Sequence, residues 1–453
     1  MEALDVGGGS GGVDVSAFEE LSRTVLLCRD YVIDTVSDEE ICRSLQAPHV
    51  LCVSDPQNLS SHSGQTALVT LVSLLSRMGM QVHLEIPETS IRLPQPPLRG
   101  LLLRQALVES SGTLISGATV QVGRGFDPDL IFVLGDTDFE VGNVFSWRLY
   151  GGDWLGALTS RGKVQAWTAE WPVGSMVSAA LAANEAFKFV MRRLPLRQRT
   201  DEAYFELSHS CLWDFGSVHV PKEGVDVGTV DIISAGAISQ AALYSLLRLP
   251  RLRMCGRVFD DDITGLSNLN RNMLTEGKDV GLAKVQLIAQ RCGTSLRIEP
   301  ILARFGGEYP GSKSLSARVL VGVDDIPSRW EAQRQAPSWL AVSGTSHFGI
   351  SSSAHSLADP CSGCLHPIDD EAGSRPIPTV SYVSFWAGLT MAVRLVREAT
   401  FNAYPRIRQQ LWLIPLRMEE AHAAVWSPVA ARRDCPVRCA ASQSLREGRQ
   451  VAA

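Results

Sequence analysis

Polar and charged residues in the segment 260–284 have types and a spacing that could bind a nucleotide. The segment, DDDITGLSNLNRNMLTEGKDVGLAK, is rich in Asn, Gly and Asp, which predicts a loop between a strand and a helix. Asp260 could accept hydrogen bonds from ribose hydroxyls. Arg271 and Lys284 could hold a polyphosphate, the first through its planar fork and the second as a point charge. Each residue alone would more often be a solvated surface charge, so the prediction depends on their co-occurrence.

A turn that contains glycine and a further carboxylate extend this candidate site. Residues 234–239 (SAGAIS) lie where a Rossmann unit keeps its phosphate-binding glycines. Only the middle glycine, Gly236, is present, so the turn is not a standard dinucleotide fingerprint. Asp324 ends a later predicted strand and could hold Mg²⁺ that bridges phosphate oxygens. Because open α/β sheets bind ligands at the carboxyl ends of their strands, these residues predict one shared site.

Four of the ten cysteines have the spacing of metal ligands. Cys361 and Cys364 form a C-x-x-C pair, and Cys435 and Cys439 form a second pair with one more residue between them. The first pair alone could be a buried or a redox pair. Together the two pairs supply four thiolates, which is the donor set of a closed, structural zinc site. The other six cysteines mostly lie in apolar runs and are predicted to belong to the core.

An α/β fold is predicted to position these residues, because short apolar runs alternate with amphipathic stretches. The first half contains predicted strands at 49–54, 81–86 and 130–134 and predicted helices at 65–78 and 175–191. A similar order begins again near residue 229, with predicted strands at 229–234 and 317–322 and predicted helices at 237–247 and 383–400. We predict a diverged internal duplication. The alternative is that any two α/β domains share such an alternation.

Residues 225–440 resemble the ubiquitin-activating-enzyme/ThiF/MoeB superfamily, whose members use ATP to adenylate the C-terminal carboxylate of a ubiquitin-like protein, a sulfur-carrier protein or a peptide. The resemblance rests on five motifs in order, which are Asp260-x-Asp262, Ser267-Asn-Leu-Asn-Arg271, Asp279-Val-Gly-x-x-Lys284, Asp324-Asp325-x-x-x-Arg329 and Cys361-Ser-Gly-Cys364-Leu-His-Pro367. It implies a fold of two Rossmann-like, ThiF-type halves that form a pseudo-dimer in one chain.

The resemblance also implies roles for individual residues. Asp260 and Asp262 match the region that binds the ATP ribose and the metal, and Asn270 and Arg271 match the pair that contacts phosphates. Lys284 matches the catalytic lysine. Among the remaining positions, Asp324 matches the magnesium-binding aspartate and Gly236 is the retained glycine of the nucleotide turn, whereas Ser234 and Ser239 replace the first and last glycines. The implied catalytic set is Arg271, Lys284 and Asp324, and the implied cofactors are ATP, Mg²⁺ and Zn²⁺.

Thioester-forming members of the superfamily carry a nucleophilic cysteine in a crossover loop. Here the corresponding stretch, residues 365–379 (LHPIDDEAGSRPIPT), contains no cysteine. A thiolate is the nucleophile that thioester transfer requires. We therefore expect the chain to stop at the acyl-adenylate, unless Cys292 or another cysteine reaches the site.

The first half is predicted to be an inactive, adenylation-like domain. It lacks the SNLNR run and the zinc cysteines, and its first lysine is Lys163. Residues 18–23 (FEELSR) resemble the element with which one protomer of this superfamily reaches the ATP site of its partner, so Arg23 is predicted to contact the nucleotide phosphates. An exposed helix arginine is the alternative, as is a first half that recognises the carrier protein. The predicted boundaries are a flexible tail at 1–15, the inactive domain at 16–200 and the active domain at 201–453.

Composition restricts the function classes. The 453 residues carry 42 Lys plus Arg against 48 Asp plus Glu, a formal charge of −6 that argues against a nucleic-acid partner. No apolar run is long enough to span a membrane, and the first residues lack the pattern of a signal peptide, so we expect a cytoplasmic protein.

The leading prediction is ATP-dependent adenylation of a ubiquitin-like or sulfur-carrier protein that ends in glycine, with a conjugating enzyme as a further candidate partner. The alternatives are adenylation of a peptide or a small biosynthetic intermediate, and a non-catalytic nucleotide-binding scaffold. A nicotinamide-dependent oxidoreductase would leave the SNLNR run and the cysteine pairs unexplained.

Overall fold

A computed structural model describes residues 15–216, 219–294, 296–306, 314–368, 377–401, 408–420 and 422–447. The predicted flexible tail lies almost entirely outside these residues. The described chain forms two mixed α/β sheets, one of seven and one of eight strands. Two such sheets with flanking helices fit the predicted pair of Rossmann-like halves.

The first half contains seven strands in the order β3-β2-β1-β4-β5-β6-β7, in which the first five are parallel and β6 is antiparallel to both β5 and β7. The strands are β1 (His49–Val53), β2 (Gln81–Glu85), β3 (Val120–Val122), β4 (Leu130–Leu134), β5 (Phe145–Gly151), β6 (Leu155–Thr159) and β7 (Ser210–Asp214). The helices are α1 (Val15–Arg29), α2 (Asp38–Gln46), α3 (His62–Arg77), α4 (Leu103–Ser111), α5 (Val173–Met191) and α6 (Arg199–Tyr204). Strand β7 follows the boundary predicted at residue 200 but pairs with β6, so the first sheet extends to Asp214.

The second half contains eight strands in the order β10-β9-β8-β11-β12-β13-β14-β15, with β13 to β15 antiparallel. The strands are β8 (Val225–Ile233), β9 (Leu252–Phe259), β10 (Leu296–Ile301), β11 (Arg318–Val321), β12 (Trp339–Ser346), β13 (Gly349–Ser356), β14 (Gln410–Leu413) and β15 (Ala424–Ser427). The helices are α7 (Ala237–Leu246), α8 (Lys284–Cys292), α9 (Ile326–Arg334), α10 (Ser362–Leu365), α11 (Ser381–Phe401) and α12 (Ala440–Arg446).

The two sheets share the arrangement of their first four strands. In each half the first strand lies between the second and the fourth, and the third lies at the edge. Open α/β sheets bind ligands where the strand order reverses, which is beside the first strand of each half. The shared order agrees with the predicted duplication and places the candidate nucleotide residues at the carboxyl end of β8.

The two halves share one apolar core. Helices α3 and α5 pack together, as do α7 and α11, and α11 also contacts α3 and α5. One cluster of buried apolar residues runs through all four helices. Polar bonds cross the same boundary, such as those between the side chains of Thr70 and Tyr244 and from the Ser381 hydroxyl to the Leu74 carbonyl. Among the described helices, none combines the length and the apolarity needed to cross a membrane.

Acid should destabilise this fold through two buried histidines. Burial lowers the pKa of His62 and of His355 from 6.5 to about 4. The folded state therefore binds fewer protons than the unfolded state between these values, and stability is lost as the pH falls through this window. At pH 5 the expected cost is about 2 kcal/mol for each histidine. Urea unfolding at pH 7.5 and pH 5.0 measures this cost.

A His62→Gln variant provides the control, because it removes one of the two titrating groups. Its free energy of unfolding should fall by about 2 kcal/mol less between pH 7.5 and pH 5.0 than that of the unchanged chain. Equal losses in the two proteins would contradict the role assigned to His62.

Candidate functional site

A cavity of about 600 Å³ lies at the carboxyl ends of β8, β9 and β11. Seven of the eight residues predicted for the nucleotide site line it, which are Arg23, Gly236, Asp260, Asp262, Arg271, Lys284 and Asp324. Six of them belong to the second half, and Arg23 comes from α1 of the first half. The eighth, Asn270, does not line the cavity. The fold thus gathers residues that are up to 301 positions apart into one concave, mostly polar space.

Two backbone amides of the turn between β8 and α7 donate hydrogen bonds to protein side chains. Ser234 has φ of +88°, the left-handed region that glycine adopts without cost, although a serine stands there. Its hydroxyl accepts a hydrogen bond from the Gly236 amide at 3.0 Å, and the Asp260 carboxylate accepts one from the Ala235 amide at 2.7 Å. The backbone therefore keeps the shape of a glycine turn, while protein acceptors occupy two amides that could otherwise meet a phosphate.

The second substituted glycine position, Ser239, is accommodated by a glycine that follows β11. Ser239 is fully buried in α7, where it replaces the last glycine of the motif. A Cβ on Gly322, which follows β11, would lie only 2.5 Å from the Ser239 hydroxyl oxygen. The missing side chain at residue 322 therefore makes room for the serine and allows helix α7 to stay close to the sheet.

Asp260, Asp262 and Lys284 are linked by hydrogen bonds. The Lys284 ammonium donates to Asp262 Oδ2 at 2.6 Å, and the Asp262 amide donates to Asp260 Oδ1 at 2.8 Å. Burial raises the pKa of Asp260, against the opposing effect of its two amide donors and of Lys284. Lys284 is 8% exposed at the first turn of α8, whereas the Asp262 side chain is 65% exposed. The lysine charge therefore lies at the cavity wall beside a carboxylate that can move into solvent.

Arg23 and Arg271 bring two positive charges to the same wall. Burial lowers the pKa of Arg271 to about 9, and the charge of Arg23 contributes to this shift while Asp324 opposes it. The pKa of Arg23 is also lowered by burial. Two neighbouring guanidinium groups are stabilised by an anion between them. The pair therefore favours a phosphate group in the cavity.

Asn270 has a different position from the one expected. Its side chain is buried, donates to the Thr24 hydroxyl at 3.0 Å and accepts from Arg271 Nη1 at 2.9 Å. Both ends of the Asn270 amide therefore bond to protein groups, and its phosphate contact stays a prediction. It orients Arg271 and ties it to helix α1. Thr24 is a residue that the sequence patterns did not single out.

Asp324 lines the cavity three residues after the end of β11, whereas its neighbour Asp325 caps helix α9 by accepting from the Ser328 amide at 2.9 Å. This division leaves the Asp324 carboxylate on the cavity side. The carboxylate oxygens of Asp260, Asp261 and Asp262 also lie within 4.8 Å of one another. Hard oxygen donors of this kind fit Mg²⁺. The donor set of the cavity is thus compatible with a magnesium nucleotide.

The four predicted zinc ligands converge. The sulfur atoms of Cys361 and Cys435 are 3.5 Å apart, those of Cys364 and Cys439 are 3.6 Å apart, and all four lie within 4.8 Å of one another. Four thiolates bound at about 2.3 Å to one tetrahedral zinc ion would be about 3.8 Å apart. The spacing and the donor set fit zinc. The cluster also joins helix α10 to α9, because the Ser362 amide donates to Gln333 Oε1 at 3.3 Å.

The remaining cysteines do not resemble reactive thiols. Five of the six are buried, and Cys255 is partly exposed on β9. Burial raises the pKa of Cys292 to about 12, so this thiol is protonated at neutral pH. Most of the crossover stretch predicted to lack a nucleophile, residues 369–376, lies outside the described residues.

At the equivalent strand ends of the first half, polar side chains bond to one another beside a cavity. The amide nitrogen of Asn58 donates to Asp55, Asp136 and Thr137, each at 3.1 Å, and its oxygen accepts from the Trp167 amide. At the end of β2, Glu85 is paired with Arg124. The nearby cavity of about 510 Å³ is lined by the acids Asp55, Glu85, Asp138 and Glu140 against the bases Arg104 and Arg124. This excess of acidic groups disfavours a polyphosphate.

Residues 49–201, within the first half, match the model of the BilD N-terminal domain. The uncharacterized protein y4jF of Sinorhizobium fredii is 24% identical over 222 residues, which are 47% of this chain and 42% of that protein. The chain therefore spans less than half the length of this curated relative.

Two solved structures are also similar. The microcin C7 biosynthetic enzyme MccB, in complex with N-formylated MccA, is matched with a TM-score of 0.39 and 13% identity over 64% of this chain and 97% of that one. PaaA is matched with a TM-score of 0.33 and 14% identity over 45% of this chain and 64% of that one.

Proposed function

We propose that this chain is an ATP-dependent adenylyltransferase that activates the C-terminal carboxylate of a polypeptide. The observation that carries the proposal is the convergence of Arg23, Arg271 and Lys284 with the Asp324 carboxylate at the carboxyl ends of β8, β9 and β11. Three cations and a cation-binding carboxylate fit a magnesium triphosphate, and Asp260 at the end of β9 fits its ribose. The resemblance of residues 225–440 to the ThiF/MoeB superfamily supports the same reaction.

In this reaction a carboxylate oxygen attacks the α-phosphorus, an oxygen–phosphorus bond forms, and the bond to the β-phosphate bridging oxygen breaks. The products are an acyl-adenylate and pyrophosphate. Arg23 and Arg271 hold the phosphates, and Lys284 stabilises the negative charge that develops on the transferring group. Bound at Asp324, Mg²⁺ would supply further neutralisation of the phosphate oxygens.

The substrate class is the finer part of the proposal. A ubiquitin-like or sulfur-carrier protein with a C-terminal glycine presents a thin, flexible end that can reach the cavity floor, and a short peptide presents the same carboxylate. We assign the carboxylate to a polypeptide chain end, which is that of a peptide or that of a ubiquitin-like or sulfur-carrier protein. The first half, whose equivalent cavity carries an excess of acidic groups, serves as a non-catalytic support that supplies Arg23.

ATP–pyrophosphate exchange tests the proposal. The purified chain is supplied with Mg·ATP and labelled pyrophosphate together with glycine-terminated ubiquitin-like proteins, sulfur-carrier proteins or short peptides. Exchange that depends on one class and is lost when its C-terminal residue is amidated identifies the carboxylate. A non-reducing gel of the same mixture detects a thioester, and exchange without such an adduct is expected because no reactive cysteine lines the cavity in the described residues. Nucleotide binding without exchange for any substrate class would instead favour a non-catalytic scaffold. The turn amides that bond to Ser234 and Asp260 are consistent with that alternative.

Removing Arg23 should weaken ATP binding across the boundary between the halves. In Arg23→Ala the KM for ATP should rise roughly 10-fold, because a desolvated guanidinium–phosphate contact contributes about 1.5–3 kcal/mol. Steady-state exchange at varied ATP measures this change. Arg43→Ala, an exposed arginine on the neighbouring helix α2, is the control and should leave the KM unchanged. Equal KM values for ATP in both variants would contradict a contact between Arg23 of the first half and the nucleotide.

A further inference from the structure

We infer that Arg77, on helix α3 of the first half, is a positioning residue for the nucleotide cavity of the second half. The inference rests on the proposed function, since it concerns the same cavity. Arg77 does not line the cavity. It acts on the segment 269–275, which includes Arg271, and its effect on nucleotide binding is therefore indirect.

Three hydrogen bonds from Arg77 hold this segment. Its guanidinium donates to the carbonyl oxygens of Leu269 at 2.5 Å, Met273 at 3.2 Å and Thr275 at 2.8 Å. Arg77 has no exposed surface, and burial lowers its pKa to about 10, so the group stays charged at neutral pH. A buried carbonyl outside regular secondary structure needs a donor, and one planar group here serves three of them.

The segment 269–275 connects Arg77 to two parts of the cavity lining, which are Arg271 and the turn around Gly236. Arg271 lies between the anchored carbonyls of Leu269 and Met273, and it lines the cavity. The Thr275 hydroxyl donates to Gln240 Oε1 at 3.0 Å, and Gln240 Nε2 donates to the Ala235 carbonyl at 3.1 Å in the nucleotide turn. A continuous chain of bonds therefore runs from the first half, through the segment 269–275, to the turn around Gly236.

This arrangement makes the geometry of the cavity in the second half depend on the first half. Charged groups that stabilise a transition state must be held within a fraction of an ångström, and a small displacement can cost about 100-fold in rate. The segment 269–275 consists of turns rather than a long helix that would hold it. An arginine from a neighbouring helix supplies the rigidity that the local backbone lacks.

The chain offers a matched control in Arg248. This second arginine is 1% exposed and donates to the carbonyls of Tyr244, Gln95 and Pro96, so it also links the two halves through backbone oxygens. It does not line the cavity. Arg77→Met and Arg248→Met remove the same donor group from two equally buried places, and each leaves carbonyls without a donor.

The experiment compares both variants with the unchanged chain in three measurements. These are thermal unfolding, binding of Mg·ATP by titration calorimetry, and hydrogen exchange of the amides in 269–275 by mass spectrometry. Both variants should unfold at lower temperatures. Only Arg77→Met should bind Mg·ATP roughly 10-fold or more weakly and exchange faster in 269–275. In ATP–pyrophosphate exchange its kcat should also fall, whereas Arg248→Met should keep both parameters.

Equal losses of ATP binding in the two variants, or unchanged binding in Arg77→Met, would overturn the inference. If a methionine variant is insoluble, Arg77→Lys and Arg248→Lys replace the methionine pair. A lysine keeps the charge but cannot bond to three carbonyls at once. The same comparison of ATP binding then tests the inference. Calorimetry and hydrogen exchange need no carrier substrate. A chain that binds Mg·ATP but catalyses no exchange would thus disprove the proposed reaction, and the two binding measurements would still decide whether Arg77 positions the cavity.

Discussion

Replacing Lys284 with alanine should lower the rate of ATP–pyrophosphate exchange by roughly 100-fold to 1,000-fold. Lys284 lines the cavity, with 8% of its surface exposed and its ammonium 2.6 Å from Asp262 Oδ2. A charge held in a partly dry site stabilises developing negative charge more than it does in water. The main effect should be on kcat, because the interaction strengthens as the α-phosphate is attacked. Steady-state exchange with saturating Mg·ATP measures it.

Lys278 provides the control within the same loop. It lies six residues before Lys284 and pairs with Glu276 at 2.7 Å, with its side chain 46% exposed. Lys278→Ala should change the exchange rate less than about twofold, since Lys278 does not line the cavity and the buried Glu276 keeps Arg291 as a partner at 2.7 Å. If both lysine variants lost activity equally, a general loss of loop structure would explain the result, and the role of Lys284 would fail.

Removing the metal from the four-cysteine cluster should unfold the C-terminal segment around residues 429–447. The four thiols lie within 4.8 Å of one another, and three of their residues are buried. Structural zinc contributes folding free energy on the order of 10 kcal/mol when four thiolates bind it. We therefore expect one zinc ion per purified chain, measured by mass spectrometry, and its loss in Cys435→Ser. Limited proteolysis should then cleave the released segment roughly 10-fold faster or more, because burial of that backbone depends on the site.

Cys255→Ser is the matched variant outside the cluster and should retain zinc and protease resistance. Ser362, which lies between Cys361 and Cys364, bonds to helix α9, and this helix begins beside Asp324. The zinc-free chain should therefore also bind Mg·ATP more weakly. A chain purified with no metal, or a Cys435→Ser variant with unchanged proteolysis, would contradict the structural role of these cysteines.

Much of the fold was predictable from local patterns. The apolar runs at 49–54, 81–86 and 130–134 coincide with β1, β2 and β4, and the Ala-rich run at 175–191 falls within α5. Such elements depend on propensity and periodicity, which act over a few residues. Strand β7 was not anticipated, because its place in the first sheet depends on pairing with β6, about 50 residues earlier.

The candidate site was predictable where short spacing encodes it. The residues from Asp260 to Lys284 lie on one loop, and the cysteine pairs carry their spacing in the sequence, so chemistry and rough position follow from residue types. The polar bonds at the strand ends of the first half were not predictable in this way. Asn58, Glu85 and Arg124 are ordinary polar residues, and only the tertiary structure pairs Asn58 with Asp136 and Glu85 with Arg124.

The sequence by itself determined which residues the proposed chemistry rests on, because a magnesium nucleotide requires particular cations and carboxylates at the ends of strands and zinc requires four thiolates. Only the tertiary structure showed which residues of the first half bond to the candidate site of the second half. Asn270 faces Thr24 instead of the cavity, and Arg77 holds carbonyl oxygens up to 198 residues away. The physical reason is that a buried polar group bonds to whatever partner the packing brings near, and that partner leaves no mark in the local sequence.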